Sequence, residues 1–348
     1  MIRIGLVGLG YWGPNYVRVL SELPDCELVI ACDSSSAALD VVRERVRHVR
    51  TTTDPEQVVS ADDVDAVIVA TPTTTHYRLA LTSLEAGKHV LCEQPLAETV
   101  GECDELIAAS RRAGRVLFVG HTFLFNPAVR KMRELVIEGS IGQLLYAYAT
   151  RTGLGPIRED VNALWDLAPH DLSILLFLFD EEPISMSAIG RAVLRDDVED
   201  VVFAQLRFGN GAIAGLHVSW LDPYKVRRLT VVGDRRMVVF DDVAVDEKLK
   251  VFDKGANYEA ISESARGTEF GEYRAIIRDG DIVIPKIDAR EPLKEEVAEF
   301  VRCCTTGDSA LTDGFAGRRV VAVLEAASTS LRNGGSAVPV TVPSVAGA

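Results

Sequence analysis

The sequence predicts an α/β protein of two domains: a doubly wound parallel sheet, then an α/β domain built on a large, mostly antiparallel open sheet. Three observations lead there. Up to residue 123, short continuous apolar runs alternate with stretches of helical spacing, the pattern of a parallel sheet covered on both faces. The first of those runs ends directly in a glycine-rich turn. Beyond residue 123 the strands are instead punctuated by Gly209-Asn210-Gly211 and Gly233-Asp234, which is hairpin chemistry. A length of 348 residues, at about 100–200 residues per domain, agrees with two domains, expected as 1–123 and 124–348.

The elements follow in order. Ile2–Val7 is a buried strand, and Pro14–Leu20 carries helical spacing. Leu28–Cys32 is the second strand, with a helix over Ala37–Arg47. Ala66–Ala70 is the third, followed by the helical Tyr77–Ala86. His89–Cys92 and Val116–Gly120 are two more, separated by the helix Val100–Ala113. The right-handed crossover rule then makes this half doubly wound. In the second half, helices are predicted at Pro127–Glu138 and Trp165–Phe179, strands between Ile184 and Phe252, and closing helices at Pro292–Thr305 and Gly314–Leu331. The small-residue tail Pro343–Ala348 is expected to fray.

Composition excludes several classes of function. Acidic residues number 51 against 37 basic, a net charge of −14, which repels phosphate backbones and anionic lipid; neither nucleic acid nor membrane is an expected partner. The strongly apolar stretch Ile174–Phe179 ends at Asp180, far short of a bilayer span. No leader is read at Met1–Val7. The six cysteines, Cys26, Cys32, Cys92, Cys103, Cys303 and Cys304, show no CxxC pairing, which fits reduced thiols in a cytoplasm.

The residues with chemical potential lie mostly at strand ends. Gly8-Leu9-Gly10-Tyr11-Trp12-Gly13 is a G-x-G-x-x-G between a strand and a helix. Gly8 allows the tight turn, Gly10 lets backbone approach a pyrophosphate, and Gly13 permits close helix–strand packing. The helix start offers amides and partial positive charge to that anion. Asp33 lies 20 residues beyond Gly13, at the end of the second strand, where a carboxylate suits ribose hydroxyls and repels a 2′-phosphate. NAD is therefore expected over NADP, with Tyr11 and Trp12 in the same loop. Glu93-Gln94-Pro95, Thr71-Pro72 and His76 follow later strands and face the same crevice. Glu93 is a candidate contact to cofactor or substrate, and His76 either joins it or caps its helix. Asp166 and His170 are four apart on a helix and share a face, which suits an imidazole base oriented by a carboxylate. The pair would also suit a metal, but no third His or Cys lies near in sequence, and no metal is expected.

Together these pieces resemble the Gfo/Idh/MocA oxidoreductase family. The match is colinear over Gly8–Gly13, Thr71-Pro72 with His76, Cys92-Glu93-Gln94-Pro95, Phe125-Asn126-Pro127, Asp166 with His170, and Glu291-Pro292-Leu293. The resemblance implies a Rossmann domain, cofactor contacts that include Asn126, and hydride transfer between a sugar or cyclitol carbon and a nicotinamide. It also implies a C-terminal sheet that forms the interface of a homodimer or homotetramer. The segment Trp165–Asp171 and the upstream Gly155–Asn162 are similar to members acting on nucleotide-linked sugars, the UDP-N-acetylglucosamine 3-dehydrogenase type among them. By that likeness Asn162 and Arg158 would meet substrate, although Arg158 fits a plain salt bridge equally well. One departure stands out: Gln94 occupies the place of the lysine in the family's Glu-Lys-Pro. Gln donates a hydrogen bond but carries no charge and exchanges no proton. Three explanations are open: a variant that leans on His170, a protein with altered or lost redox activity, or a substitution introduced to trap a complex.

Overall fold

The structure is a computed structural model and describes residues 1–256 and 277–341; the expectation for Pro343–Ala348 lies outside them. Two compact units form. The first contains Met1–Asn126 and Arg290–Glu325; the second contains the described residues of Pro127–Ala289 and Ala326–Thr341.

In the first unit the strands are β1 (Ile2–Val7), β2 (Cys26–Cys32), β3 (Arg50–Thr52), β4 (Ala66–Val69), β5 (His89–Glu93) and β6 (Leu117–Gly120). They form one sheet in the order β3-β2-β1-β4-β5-β6, parallel throughout. The order reverses between β1 and β4, the switch point outside whose strand ends ligands bind in such sheets. Ile4, Leu6, Ile68, Leu91 and Phe118 are fully enclosed, which explains the continuous apolar runs. The connecting helices are α1 (Gly13–Glu22), α2 (Ser36–Arg45), α3 (Glu56–Val59), α4 (His76–Glu85) and α5 (Val100–Ala113). Thr99 starts α5 with a capping box closed by Glu102, and Gly114 ends it in the left-handed region at φ 61°.

The second unit opens with α6 (Pro127–Ile137) and β7 (Leu144–Thr152), followed by α7 (Ala163–Phe179). Strands β8 (Pro183–Arg191), β9 (Val201–Phe208), β10 (Ile213–Ser219), β11 (Val226–Gly233), β12 (Met237–Asp241) and β13 (Leu249–Phe252) follow. Short strands β14 (Gly255–Ala256) and β15 (Ile277–Arg278) pair with each other. With β16 (Ile282–Val283) and β17 (Val338–Pro339), the large sheet runs β16-β13-β12-β11-β7-β10-β9-β8-β17. Among the described residues, only β7 and β10 are parallel neighbours in it. Strand alternation gives it two unlike faces: Ala147, Ala149, Val202, Leu206, Ala214 and Leu216 point inward, and α7 packs against that side.

The strand β7, central in the sheet, was not read from the sequence. The compact units do not follow chain order, because helix α8 (Pro292–Thr306) belongs to the first. Its inward face of Leu293, Glu296, Val297 and Phe300 packs beside α1 and the helical turn Thr122–Phe125. A late amphipathic helix joins whichever core accepts its apolar stripe, and chain order does not reveal which. The last helix, α9 (Gly314–Arg332), contributes residues to both units.

Candidate active site

The glycine loop leaves β1 as the motif requires. Gly8 has φ +101°, and a side chain there would drive a Cβ to 2.3 Å from the Ala70 carbonyl oxygen. A Cβ on Gly13 would come within 2.6 Å of the Gly8 carbonyl, so this glycine sets how closely α1 packs. At Gly10 a Cβ would meet nothing within 4 Å, so that stretch of backbone is open to close approach by a large anion. Tyr11 beside it is 80% exposed, with the Trp12 ring edge-on at 6.0 Å. Asp33, at the end of β2, accepts from Leu9 N at 2.6 Å and from Ser35 N at 2.8 Å. Two backbone amides thus fix its carboxylate beside the glycine loop. These residues fit the diphosphate and ribose of a dinucleotide.

The loops after β4 and β5 are pinned from inside. His76 is 1% exposed, and its ring nitrogens lie 2.8 Å from the carbonyl oxygens of Pro95 and Thr71. It joins the two loops rather than reaching outward, which corrects its expected role as a cofactor contact. Thr71 and Pro72 remain at the β4 end, with the Thr75 hydroxyl donating to Thr71 Oγ1 at 2.7 Å. Glu93 is also corrected: it is 8% exposed, accepts from Tyr16 Oη at 2.7 Å and takes the Gln94 amide at 3.2 Å. Burial pushes its carboxyl up to about 7, against the hydrogen bonds that favour its charged form. The Gln94 side chain receives a bond from His121 Nδ1 at 2.8 Å, which fixes the amide so that its NH2 is the donor end. His121 is buried and driven down to about 4, so the ring is neutral, with its proton on Nδ1. Asn126 is buried at the end of the turn Thr122–Phe125, its N–H donating to the Phe123 carbonyl at 3.1 Å.

In the second unit, Asn162 caps α7, accepting from Trp165 N at 3.1 Å and donating to Glu199 Oε2 at 2.7 Å. Its amide serves the helix start, not the substrate role expected of it. Asp166 and His170 share a face of α7, with Pro169 between them removing one rung of the backbone ladder. Asp166 accepts from Trp220 Nε1 at 2.8 Å and faces Arg158 Nη1 at 3.4 Å. The tryptophan and arginine thus reach the carboxylate expected to orient His170. Burial raises the Asp166 carboxyl, opposed by those two partners. Arg158 also meets Asp160 at 2.5 Å, so the salt-bridge reading holds for it. His170 is half-buried. The neighbouring Asp171 faces the other way, where Arg151 of β7 holds it through bonds of 2.7 and 3.1 Å.

Tyr16, His121, Glu296 and Arg151 were not singled out from the sequence. Each meets its partner across 20 to 280 residues, so no local spacing announces them. Among the described residues, no cluster of three or more His, Cys, Asp or Glu side chains could hold a metal ion. No helix among them is long and apolar enough to cross a membrane.

Comparison with known proteins assigns the class. Residues 2–121 match the model of an oxidoreductase family with an NAD-binding Rossmann fold. Residues 129–239 match the GFO/IDH/MocA C-terminal domain, and the chain belongs to the Gfo/Idh/MocA oxidoreductase family. It is 28% identical over 324 residues to the UDP-N-acetylglucosamine 3-dehydrogenase of Acidithiobacillus ferrooxidans, covering 92% of this chain and 94% of that protein. A solved structure of that dehydrogenase superposes with a TM-score of 0.80 at 25% identity, over 96% of this chain and 98% of the other. The inositol 2-dehydrogenase of Acidothermus cellulolyticus is 30% identical over 68% of this chain and 72% of its own length.

Proposed function

We propose that this protein is an NAD-dependent sugar dehydrogenase or ketoreductase acting on a nucleotide-activated sugar. The observation that carries the reading is the pairing of the open backbone at Gly10 with the amide-held carboxylate of Asp33. The diphosphate would lie along Gly8, Gly10 and the start of α1, and Asp33 would accept from the adenosine ribose hydroxyls while repelling a 2′-phosphate. The likeness to a UDP-N-acetylglucosamine dehydrogenase supports the substrate class.

A bound nicotinamide supplies the hydride acceptor or donor. The chain's own residues do the rest. His170 takes the hydroxyl proton in oxidation and returns it in reduction. Gln94, steadied by His121, donates a hydrogen bond to the reacting oxygen. Asp166 holds Trp220 and Arg158 in place on the substrate side of α7. A homodimer or homotetramer would form through the outer face of the large sheet, where Tyr146, Tyr148, Ile189 and Phe203 are exposed. Gln94 in place of the family lysine favours one second reading, a redox-silent or net non-redox member.

Mixing the protein with NAD and a panel of nucleotide sugars, while following reduced-nicotinamide absorbance, tests the proposal. Reduction is expected with at least one sugar, and His170→Ala should slow it by about 10²–10⁴-fold with NADH binding kept. Unchanged turnover in that variant would remove His170 from the mechanism.

A further inference from the structure

The first unit buries two carboxyl groups with no cation paired to either among the described residues. Glu93 at the end of β5 is 8% exposed, and Glu296 on α8 is fully enclosed. The groups facing them are the Tyr16 hydroxyl from α1, the Cys92 thiol from β5 and the Thr122 hydroxyl from the turn after β6. Tyr16 Oη lies 2.7 Å from Glu93 Oε1 and, in a longer link, 3.5 Å from Glu296 Oε1. A phenol carries one proton, so it cannot donate to both carboxylates. Were both acids ionised, one charged oxygen would face the phenol's lone pairs. Glu296 Oε2 is moreover buried without a hydrogen-bond partner, a costly place for charge and a cheaper one for the carbonyl of a neutral acid.

We propose that Glu296 is held as a neutral carboxylic acid that donates to Tyr16 Oη, and that Tyr16 donates in turn to Glu93. The other oxygen of Glu93 accepts the Gln94 N–H at 3.2 Å, so donors from α1 and from the loop bearing Gln94 converge on the Glu93 carboxylate. Burial raises the Glu296 carboxyl well above its ordinary range, and the nearby Glu93 adds to the rise, in keeping with this proton count. Gly120 makes room for the arrangement, since a Cβ there would stand 2.8 Å from Glu93 Oε2. Glu296 is thus a positioning residue: it fixes Glu93, and Glu93 fixes the backbone at Gln94. The protonation stands on geometry alone, whereas its use in the reaction rests on the reading of the Gln94 loop as part of the cofactor and substrate site.

The test has two arms on the full chain. At mildly alkaline pH, the infrared difference spectrum between the unaltered protein and Glu296→Gln is expected to show a protonated-carboxyl C=O band that the variant lacks. No such band, or a band lost only in Glu93→Gln, overturns the assignment. Fluorescence titration with NADH reads the positioning. Tyr16→Phe and Glu296→Leu should each weaken binding about three- to tenfold, and Glu296→Gln, which keeps a donor, should recover most of the loss. Equal weakening in the Gln and Leu variants overturns the donor role. If Glu296→Leu fails to fold, Tyr16→Phe carries this arm. A lost infrared band with NADH binding unmoved in Tyr16→Phe overturns the positioning role and faults the reading of the loop, while leaving the protonation intact.

Discussion

In the first unit, Glu93 and Glu296 are buried beside a tyrosine, with no cation paired to either among the described residues. In the second, Asp171 is buried just as deeply but lies against Arg151, with side-chain exposures of 4% and 5% and two parallel hydrogen bonds. One region keeps a buried acid neutral with a proton and the other pairs its acid with a guanidinium. Either route avoids a bare charge in a low-dielectric interior, but they fail under different stresses. A proton-held acid responds to pH. A cation-held acid responds to loss of its partner.

The largest effect expected from this contrast is at the ion pair. Arg151→Met leaves Asp171 buried and unpaired and should cost about 3–5 kcal/mol in denaturant unfolding. Adding Asp171→Leu should return most of that. A small cost for the single change would mean that the carboxylate finds water, and the contrast with the first unit would disappear.

The next effect is on pH. Glu93 and Glu296 both have raised folded values, so their contribution to stability is present below the ordinary carboxylate range near 4.5 and is lost as pH rises above it, for Glu93 through about 7. The loss should be of order 1–3 kcal/mol, and Glu296→Gln should shrink it and raise stability at neutral pH. Unfolding midpoints across that window read the slope. His121 works in the opposite sense: its folded value is lowered to about 4, so its contribution is present above 6.5 and is lost as pH falls through about 4. A profile with no alkaline decline would place the two acids with Asp171 after all.

Asp33 offers a third arrangement, a half-exposed carboxylate balanced by two backbone N–H groups. Asp33→Ala should weaken NADH binding by about 1–3 kcal/mol and narrow the preference over NADPH. Tighter binding of NADPH than NADH by the unaltered protein would overturn its assigned role.

The smallest effect, and the most informative for the comparison, is expected from Gln94→Lys. An ammonium beside Glu93 would make the first region resemble the second, easing the alkaline loss of stability. It should also speed single-turnover hydride transfer a few-fold, roughly 1 kcal/mol, by stabilising a developing alkoxide. The lysine gives up the acceptor that His121 now uses, so a slower variant would show a chain adapted to glutamine.

What the sequence revealed and what it hid follow the same division between local and distant. The glycine turn and Asp33 were legible because a strand, a tight turn and a helix start carry their signature within a few dozen residues. The face shared by Asp166 and His170 was legible from helical spacing, but their partners were not. Trp220, which donates to Asp166, lies 54 residues away, just past the end of β10. The Tyr16–Glu296 link spans 280 residues and depends on α8 joining the first unit, which nothing in its own pattern states. The strand β7 escaped notice because its outward tyrosines and inward alanines blunt the usual contrast between buried and exposed positions. At the edge of the parallel sheet, β3 is three mostly polar residues and carries no apolar run.

The central claim is that a chain with glutamine in place of the family lysine still moves a hydride. Stopped-flow mixing of the protein, in excess over NAD, with UDP-N-acetylglucosamine tests it most directly by recording nicotinamide reduction within a single turnover. The account predicts a resolved rise in reduced nicotinamide, slowed about 10²–10⁴-fold in His170→Ala. Tight binding of both ligands with no reduction, for this sugar and for a panel of nucleotide sugars, would contradict it and leave a redox-silent binding protein on a dehydrogenase fold.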